Sequence, residues 1–144
     1  MSAGRVLGVD LGARRVGVAV SDPERRVAVP VTVIDSKSAD FLAVLAQLAV
    51  EYEAGLVVVG VARSLSGADG TQAARHRAAI DQMAARLAIP IVEQDERLST
   101  VAAHRALGAA GLDSRRRRGV VDAAAAAWIL QGFLDRQRGP GQID

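Results

Sequence analysis

The fold is decided by residues 5–34, which read RVLGVDLGARRVGVAVSDPERRVAVPVTVI. Apolar and β-branched residues dominate three runs in this stretch, over residues 5–10, 16–21 and 27–34. The links between the runs are short and carry turn-forming glycine, aspartate and proline. Runs of this kind between turn residues are typical of strands. Since links this short join antiparallel neighbours, the stretch predicts a meander of three antiparallel strands.

After this meander the chain alternates between helical and extended patterns. From residue 39 apolar side chains recur every three or four positions, which is the pattern of an amphipathic helix. The predicted helices cover residues 39–53, 71–87, 100–107 and 120–136. The predicted fourth and fifth strands cover residues 56–60 and 90–94, with a loop over residues 62–70 and a polar link over residues 108–119. This order predicts an α/β fold, in which a mixed five-stranded sheet is flanked by helices.

Length and composition limit the class of protein. A chain of 144 residues is most simply one domain, which we place at residues 1–138, followed by a flexible tail over residues 139–144. The absence of cysteine excludes disulfides and thiolate metal sites. No stretch approaches the run of about 18 apolar residues that spans a membrane, and the N-terminus lacks a secretory pattern. We therefore expect a soluble cytoplasmic protein with no membrane partner.

The positive charge of the chain is carried almost entirely by arginine. The formal net charge is +2, and all of the 18 basic residues except Lys37 are arginine. A coding bias towards arginine and alanine explains part of this composition. Guanidinium groups nevertheless suit phosphate oxygens better than ammonium groups do, so nucleic acid is a compatible partner. With one Trp, one Tyr and two Phe, the chain has few platforms for base stacking, and contacts with the phosphate backbone are the expected mode.

Three acidic residues lie where a predicted buried element ends or begins. Asp10 ends the first strand, Glu96 follows the fifth strand, and Asp122 opens the alanine-rich stretch in the first turn of the predicted last helix. A carboxylate at the margin of a core is costly unless something cationic is bound there. If the fold brings the three together, they form a cage of oxygen ligands for Mg²⁺ or Mn²⁺.

Each carboxylate also has a purely local interpretation. Asp10 could end its strand and shape the following turn. Glu96 could act as a cap or lie on the surface, and Asp122 could favour the helix macrodipole from the first turn. Asp95 is an alternative to Glu96, because neighbouring residues of a strand point to opposite faces and only one of the two can face the site. We favour Glu96, since its longer side chain reaches from the strand end to a metal.

A basic run lies just ahead of the last helix. Arg115–Arg118 are four successive arginines, which form a solvated face at least. Beside a metal site they would hold a phosphodiester strand through its backbone. The candidate nucleic-acid-binding residues are Arg15, Arg97, Arg115, Arg116, Arg117 and Arg118.

Four ordered segments of the chain resemble the YqgF/RuvX family. They are GVDLGARRVGVAVSD (residues 8–22), VVGVARSLSGADG (58–70), DERLST (95–100) and VDAAAAAWIL (121–130). Members of this family are small bacterial ribonuclease H-like proteins, described as pre-16S rRNA nucleases and as Holliday-junction-resolvase-like enzymes. Four motifs in one order make a more specific signal than any one of them.

The resemblance implies a ribonuclease H-like fold and a metal-dependent nuclease, with Asp10, Glu96 and Asp122 as the acidic active-site set. Our hypothesis is that this set holds two divalent ions, Mg²⁺ or Mn²⁺, roughly 3.5–4 Å apart, one activating water and the other stabilising the leaving 3′-oxygen. The implied substrate is structured nucleic acid: the 5′ end of pre-16S rRNA, Holliday junction DNA, or both. A homodimer is expected if the substrate is a four-way junction, which has two strands to cut.

Two other functions compete with the nuclease. One is a non-catalytic nucleic-acid-binding module with a ribonuclease H-like fold, against which the intact acidic set weighs. The other is a phosphotransferase or ATPase of the actin-like class, which the Asp10-Leu11-Gly12 pattern suggests. Such enzymes hold ATP between two domains of this kind, and this chain is too short to form both domains.

Overall fold

The structure of the protein is a computed structural model that describes residues 4–12, 14–35, 40–61, 70–96 and 114–138. At residues 70–73 and 114–122 the description is of the backbone. The described strands are β1 (Arg5–Leu11), β2 (Arg15–Ser21), β3 (Ala28–Asp35), β4 (Ala54–Val61) and β5 (Ile91–Asp95). The described helices are α1 (Phe41–Glu51), α2 (Gly70–Arg86) and α3 (Ser114–Arg138).

The strands form one mixed sheet in the order β3-β2-β1-β4-β5. β1 and β3 each pair antiparallel with β2, whereas β4 pairs parallel with both β1 and β5. The predicted mixed five-stranded sheet, with an antiparallel start and parallel strands after it, is confirmed. Because β1, β4 and β5 run in the same direction, their carboxyl ends lie at one edge of the sheet, together with the link from β1 to β2. We call this edge the carboxyl edge.

Alternation along the strands builds two separate cores. Leu7 and Val9 of β1 are fully buried on the face covered by α1 and α2, together with Leu45 and Met83 from those helices. Val6 and Val58 are buried on the opposite face, which α3 covers, and we call this the α3 face. Since neighbouring residues of a strand point to opposite faces, the even-numbered positions of β1 and β4 look towards α3.

Two glycines let α3 lie directly on the sheet. A Cβ atom at Gly8 would stand 2.7 Å from Leu130 Cβ and 3.0 Å from the carbonyl oxygen of Ala126. A Cβ atom at Gly60 would stand 2.3 Å from Ile129 Cδ1. Positions without a side chain are therefore required here, and they set the height of α3 above β1 and β4.

The last helix is longer than the sequence predicted. α3 begins at Ser114 rather than at residue 120, so residues 114–119 of the predicted polar link are helical. Arginine is a good helix former, and four successive arginines therefore extend a helix as readily as they form a solvated link. The predicted helix over residues 100–107, residues 62–69 of the predicted loop over 62–70 and the tail over residues 139–144 lie outside the described residues, and residue 70 begins α2.

None of the described helices combines the length and hydrophobicity that crossing a membrane requires.

The turn between β2 and β3 is organised by the carboxylate of Asp22. Its Oδ1 atom accepts hydrogen bonds from the backbone N–H groups of Val27, at 2.9 Å, and Arg26, at 2.7 Å. These bonds, that of Val27 first, hold the pKa of Asp22 below its ordinary value of 3.8. Because the folded state has the lower pKa, the charged form stabilises the fold above the unfolded pKa, and this contribution is lost as the pH falls through the folded pKa.

We expect Asp22→Asn to lower the free energy of unfolding at pH 7 by up to about 1 kcal/mol, since the amide oxygen keeps both bonds but loses the charge. Urea denaturation of the two proteins between pH 7 and pH 3 measures this difference. The difference should shrink towards zero as the pH falls below the ordinary aspartate value of 3.8. A difference that stays constant over the whole range would contradict this assignment.

Candidate functional site

Asp10 lies on the α3 face, one residue before the carboxyl end of β1. Its side chain is only 5% exposed, which is unusual for a carboxylate. In the register of the sheet Asp10 pairs with Gly60, and Gly60 pairs with Gln94. These three residues therefore form one row across β1, β4 and β5, just below the carboxyl edge.

Glu96 is the first residue after β5 and is half-buried at the same edge. Asp95 pairs with Val61, which belongs to the core beneath α1 and α2. Asp95 thus points away from the face that carries Asp10. The register weighs against Asp95 as the partner of Asp10, and the choice of Glu96, which lies beyond the end of β5, stays a prediction.

The separation across the row explains why a long side chain is needed at the end of β5. Neighbouring strands lie about 4.8 Å apart, so the backbones of Asp10 and Gln94 are separated by roughly 10 Å. Between them the side chain of Ile129 fills the space above Gly60. A glutamate beyond Gln94, at the carboxyl edge, reaches further towards Asp10 than an aspartate at the same position would.

Asp122 belongs to α3, but not to its first turn. The helix begins at Ser114 and its first turn contains no acidic residue, so the prediction that Asp122 lies in the first turn was wrong. Its interaction with the macrodipole at the helix start is thereby excluded as the local explanation, because that effect falls off within one turn. On the backbone, Asp122 precedes by one turn Ala126, whose carbonyl oxygen lies against Gly8. The side chain of Asp122 lies outside the described part of the protein.

The predicted nucleic-acid-binding arginines divide into three groups. Arg15 is half-buried at the start of β2 and therefore lies at the carboxyl edge. Arg97 lies outside the described residues. Arg115–Arg118 belong to the N-terminal part of α3, where the backbone alone is described. Their prediction as phosphate contacts stays a prediction.

Gln94 is a site residue that the sequence did not single out. It is 6% exposed, and its side-chain Nε2 donates a 3.2 Å hydrogen bond to the carbonyl oxygen of Ile129 in α3. The bond links the strand that precedes Glu96 to the helix that contains Asp122. A glutamine within the predicted strand over residues 90–94 is the signal in the sequence that could have drawn attention to it.

The carboxylates of Asp10 and Glu96, at the carboxyl edge, suit a hard divalent cation. Asp10 and Glu96 supply carboxylate oxygens, the ligands that Mg²⁺ and Mn²⁺ prefer. Among the described side chains, no group of three or more His, Cys, Asp or Glu lies together as a complete metal site. The side chain of Asp122 is not among the described side chains, so the predicted set of three carboxylates stays a prediction.

A family model described as "RuvX: Holliday junction resolvase" matches residues 4–136 of this chain. This chain belongs to the RuvX family. A relative from Mycolicibacterium paratuberculosis, named "Putative pre-16S rRNA nuclease", is 47% identical to this RuvX protein, over 94% of this chain and 82% of the relative's own length. A relative of the same name from Anaeromyxobacter dehalogenans is 45% identical over 92% of this chain and 98% of its own length.

Solved structures extend the likeness of this RuvX protein to resolvase folds. RuvC from T. thermophilus, in complex with a Holliday junction substrate, superposes with a TM-score of 0.62 over 94% of this chain and 96% of RuvC, at 14% identity. Fowlpox virus resolvase, in complex with Holliday junction DNA, superposes with a TM-score of 0.55 over 92% of this chain and 98% of the resolvase, at 9% identity. The predicted ribonuclease H-like fold is confirmed.

Proposed function

We propose that this RuvX protein is a metal-dependent nuclease that cleaves structured nucleic acid with Asp10, Glu96 and Asp122 as its acidic set. The observation that supports the set is the row at the carboxyl edge. A buried Asp10 lies in register with Gln94, and Glu96 directly follows β5 at the same edge of the sheet. α3, the helix that contains Asp122, lies on this face of the sheet.

Hydrolysis of phosphodiester bonds is the reaction that the family and the curated relatives share. The finer assignment to a substrate is a proposal. The names of the relatives point to pre-16S rRNA, where we propose cleavage at the 5′ end, whereas the description of the family points to Holliday junctions. Both present the same phosphodiester backbone, which is the part of the substrate that arginines recognise.

The carboxylates of the acidic set would hold Mg²⁺ or Mn²⁺, with two ions expected. Bound there, such ions supply an activated water and neutralise charge on the leaving oxygen. The protein itself contributes the fixed positions of its ligands on a rigid sheet and helix. Arg15, Arg97 and Arg115–Arg118 would hold the phosphate backbone of the substrate at the same edge.

The setting of the reaction follows from its substrates. Ribosomal RNA precursors and recombining DNA both occur in the cytoplasm of a bacterium, which is where we place this protein. If the substrate is a four-way junction, two strands must be cut, and we propose that a homodimer then supplies the two sites.

A side-by-side cleavage assay with Mn²⁺ tests the proposed function. The substrates are a four-way DNA junction, linear duplex DNA of the same sequence, and a precursor-rRNA fragment that spans the 5′ end of 16S rRNA. We expect cleavage of at least one structured substrate and little cleavage of linear duplex, and EDTA should abolish it. Binding of these substrates with no cleavage of any of them would instead support the non-catalytic module.

A further inference from the structure

We infer that Gln94 is a positioning residue, which holds the helix containing Asp122 at a fixed place relative to Asp10 and Glu96. This inference rests on the proposed function, because it assigns Gln94 a task in the acidic set. It starts from the hydrogen bond between Gln94 Nε2 and the carbonyl oxygen of Ile129, which joins residues 35 positions apart in the chain.

The position of Gln94 in the sheet is the first reason. Gln94 lies in the same row as Asp10, with only Gly60 between them, and it precedes Glu96 by two residues. A side chain anchored here fixes the backbone that leads to Glu96 and, through β4, its position relative to Asp10. The bond from Gln94 therefore joins the sheet to the body of α3 close to this edge.

The chemistry of the bond is the second reason. Ile129 lies inside α3, where its carbonyl oxygen already accepts the regular helical hydrogen bond. The amide of Gln94 is therefore not needed to satisfy that oxygen. An apolar side chain of similar size would fill the same buried space without the cost of desolvating an amide. What the amide adds is direction, since a hydrogen bond fixes the helix along and around its axis, as a smooth apolar contact does not.

Ile129 is also the point where α3 rests on β4. Its side chain fills the space above Gly60, while its carbonyl oxygen accepts from Gln94. Asp122 lies two turns before Ile129, which is roughly 10 Å along the helix axis. A shift or rotation of α3 at Ile129 would displace Asp122, whereas a loosening beyond Ile129 leaves the two preceding turns held by the Gln94 bond. Loss of the Gln94 bond should therefore loosen the metal site more than it loosens the fold.

The chain offers a matched control on the same helix. Gln131 also ties α3 to the sheet: its Oε1 accepts from Ala28 N at 2.9 Å, and its Nε2 donates to the carbonyl oxygen of Arg26 at 2.8 Å. These contacts lie beside the turn between β2 and β3, at the edge of the sheet opposite to the carboxyl edge. Gln131→Met thus removes an anchor of α3 by the same substitution as Gln94→Met, but away from the proposed site.

The test is isothermal titration of Mn²⁺ into the wild type, Gln94→Met, Gln94→His and Gln131→Met, with thermal denaturation of each protein. We expect Gln94→Met to raise the Kd for Mn²⁺ by about 10- to 100-fold, the effect of losing a group that orients metal ligands. Gln94→His keeps an N–H donor of similar reach, and it should bind Mn²⁺ more tightly than Gln94→Met. Gln131→Met should lower the Tm yet leave the Kd for Mn²⁺ at the wild-type value.

Cleavage kinetics give a second readout that a purely structural role would not move. Gln94→Met should lower kcat and leave KM for the nucleic acid unchanged, because Gln94 does not contact the substrate. If Gln94→Met binds Mn²⁺ as tightly as the wild type does, the inference is overturned while the proposed function stands. If the wild type neither binds Mn²⁺ nor cleaves any substrate, the proposed function is overturned, and the role of Gln94 with it.

Discussion

Asp10→Asn should lower the rate of nucleic-acid cleavage by at least about a hundredfold, the upper end of the effect seen when only an outer partner of a metal site is removed. Asparagine is nearly isosteric with aspartate, so the buried space that the 5% exposed side chain occupies stays filled. The substitution removes a negative charge, and with it a ligand for a hard divalent cation. It also relieves the repulsion among the carboxylates of the metal-free protein, so we expect the fold to be unaffected.

Asp22→Asn is the control for this experiment. It is the same substitution on the same sheet, but Asp22 follows β2 at the edge opposite to the carboxyl edge. We expect it to cleave at the wild-type rate. The measurement is initial cleavage rate at saturating Mn²⁺, with circular dichroism spectra of all three proteins. Wild-type cleavage by Asp10→Asn would remove Asp10 from the mechanism.

Gly8→Ala should lower the free energy of unfolding by about 1–3 kcal/mol, the usual cost of forcing an extra methyl into a packed core. The new Cβ atom would stand 2.7 Å from Leu130 Cβ and 3.0 Å from the backbone oxygen of Ala126. Neither atom can turn away by a change of rotamer, so α3 itself must move off the sheet. Because that movement displaces the helix containing Asp122, we also expect cleavage to fall.

Gly60→Ala provides the comparison, since its close contact is with a flexible atom. There the nearest atom is Ile129 Cδ1, at 2.3 Å, and Ile129→Val deletes that atom. The double variant Gly60→Ala/Ile129→Val should therefore recover part of the stability lost by Gly60→Ala, with a coupling free energy of about 0.5–3 kcal/mol. Leu130→Ala should give no such recovery with Gly8→Ala, because alanine keeps the offending Cβ atom. Equal recovery in both pairs, measured by urea denaturation, would contradict this account of how α3 is seated.

The sheet and the position of Asp10 could be predicted from the sequence, because they depend on local patterns. The run that ends at Asp10 is apolar and bounded by Gly12, and the links after it are too short for anything but antiparallel neighbours. The parallel addition of β4 and β5 follows from the intervening helices. These features place the ends of β1 and β5 at one edge before any coordinates are known.

The start of α3 and the role of Gln94 could not be predicted in the same way. Arg115–Arg118 carry the charge of a link and the intrinsic propensity of a helix, and the sequence alone does not decide between them. The bond from Gln94 to Ile129 depends on the register of β5 and on how α3 crosses the sheet. Both are tertiary features, so a lone glutamine in a strand gives no sign of its partner.

The central claim is that Asp10, Glu96 and Asp122 meet around shared metal ions, and a crystal structure of the protein grown with Mn²⁺ tests it most directly. Anomalous scattering identifies manganese independently of the protein density. We predict anomalous peaks at the carboxyl edge, on the α3 face, within direct coordination distance of oxygens from all three carboxylates. Manganese bound elsewhere, or an Asp122 side chain that points away from Asp10 and Glu96, would contradict the account.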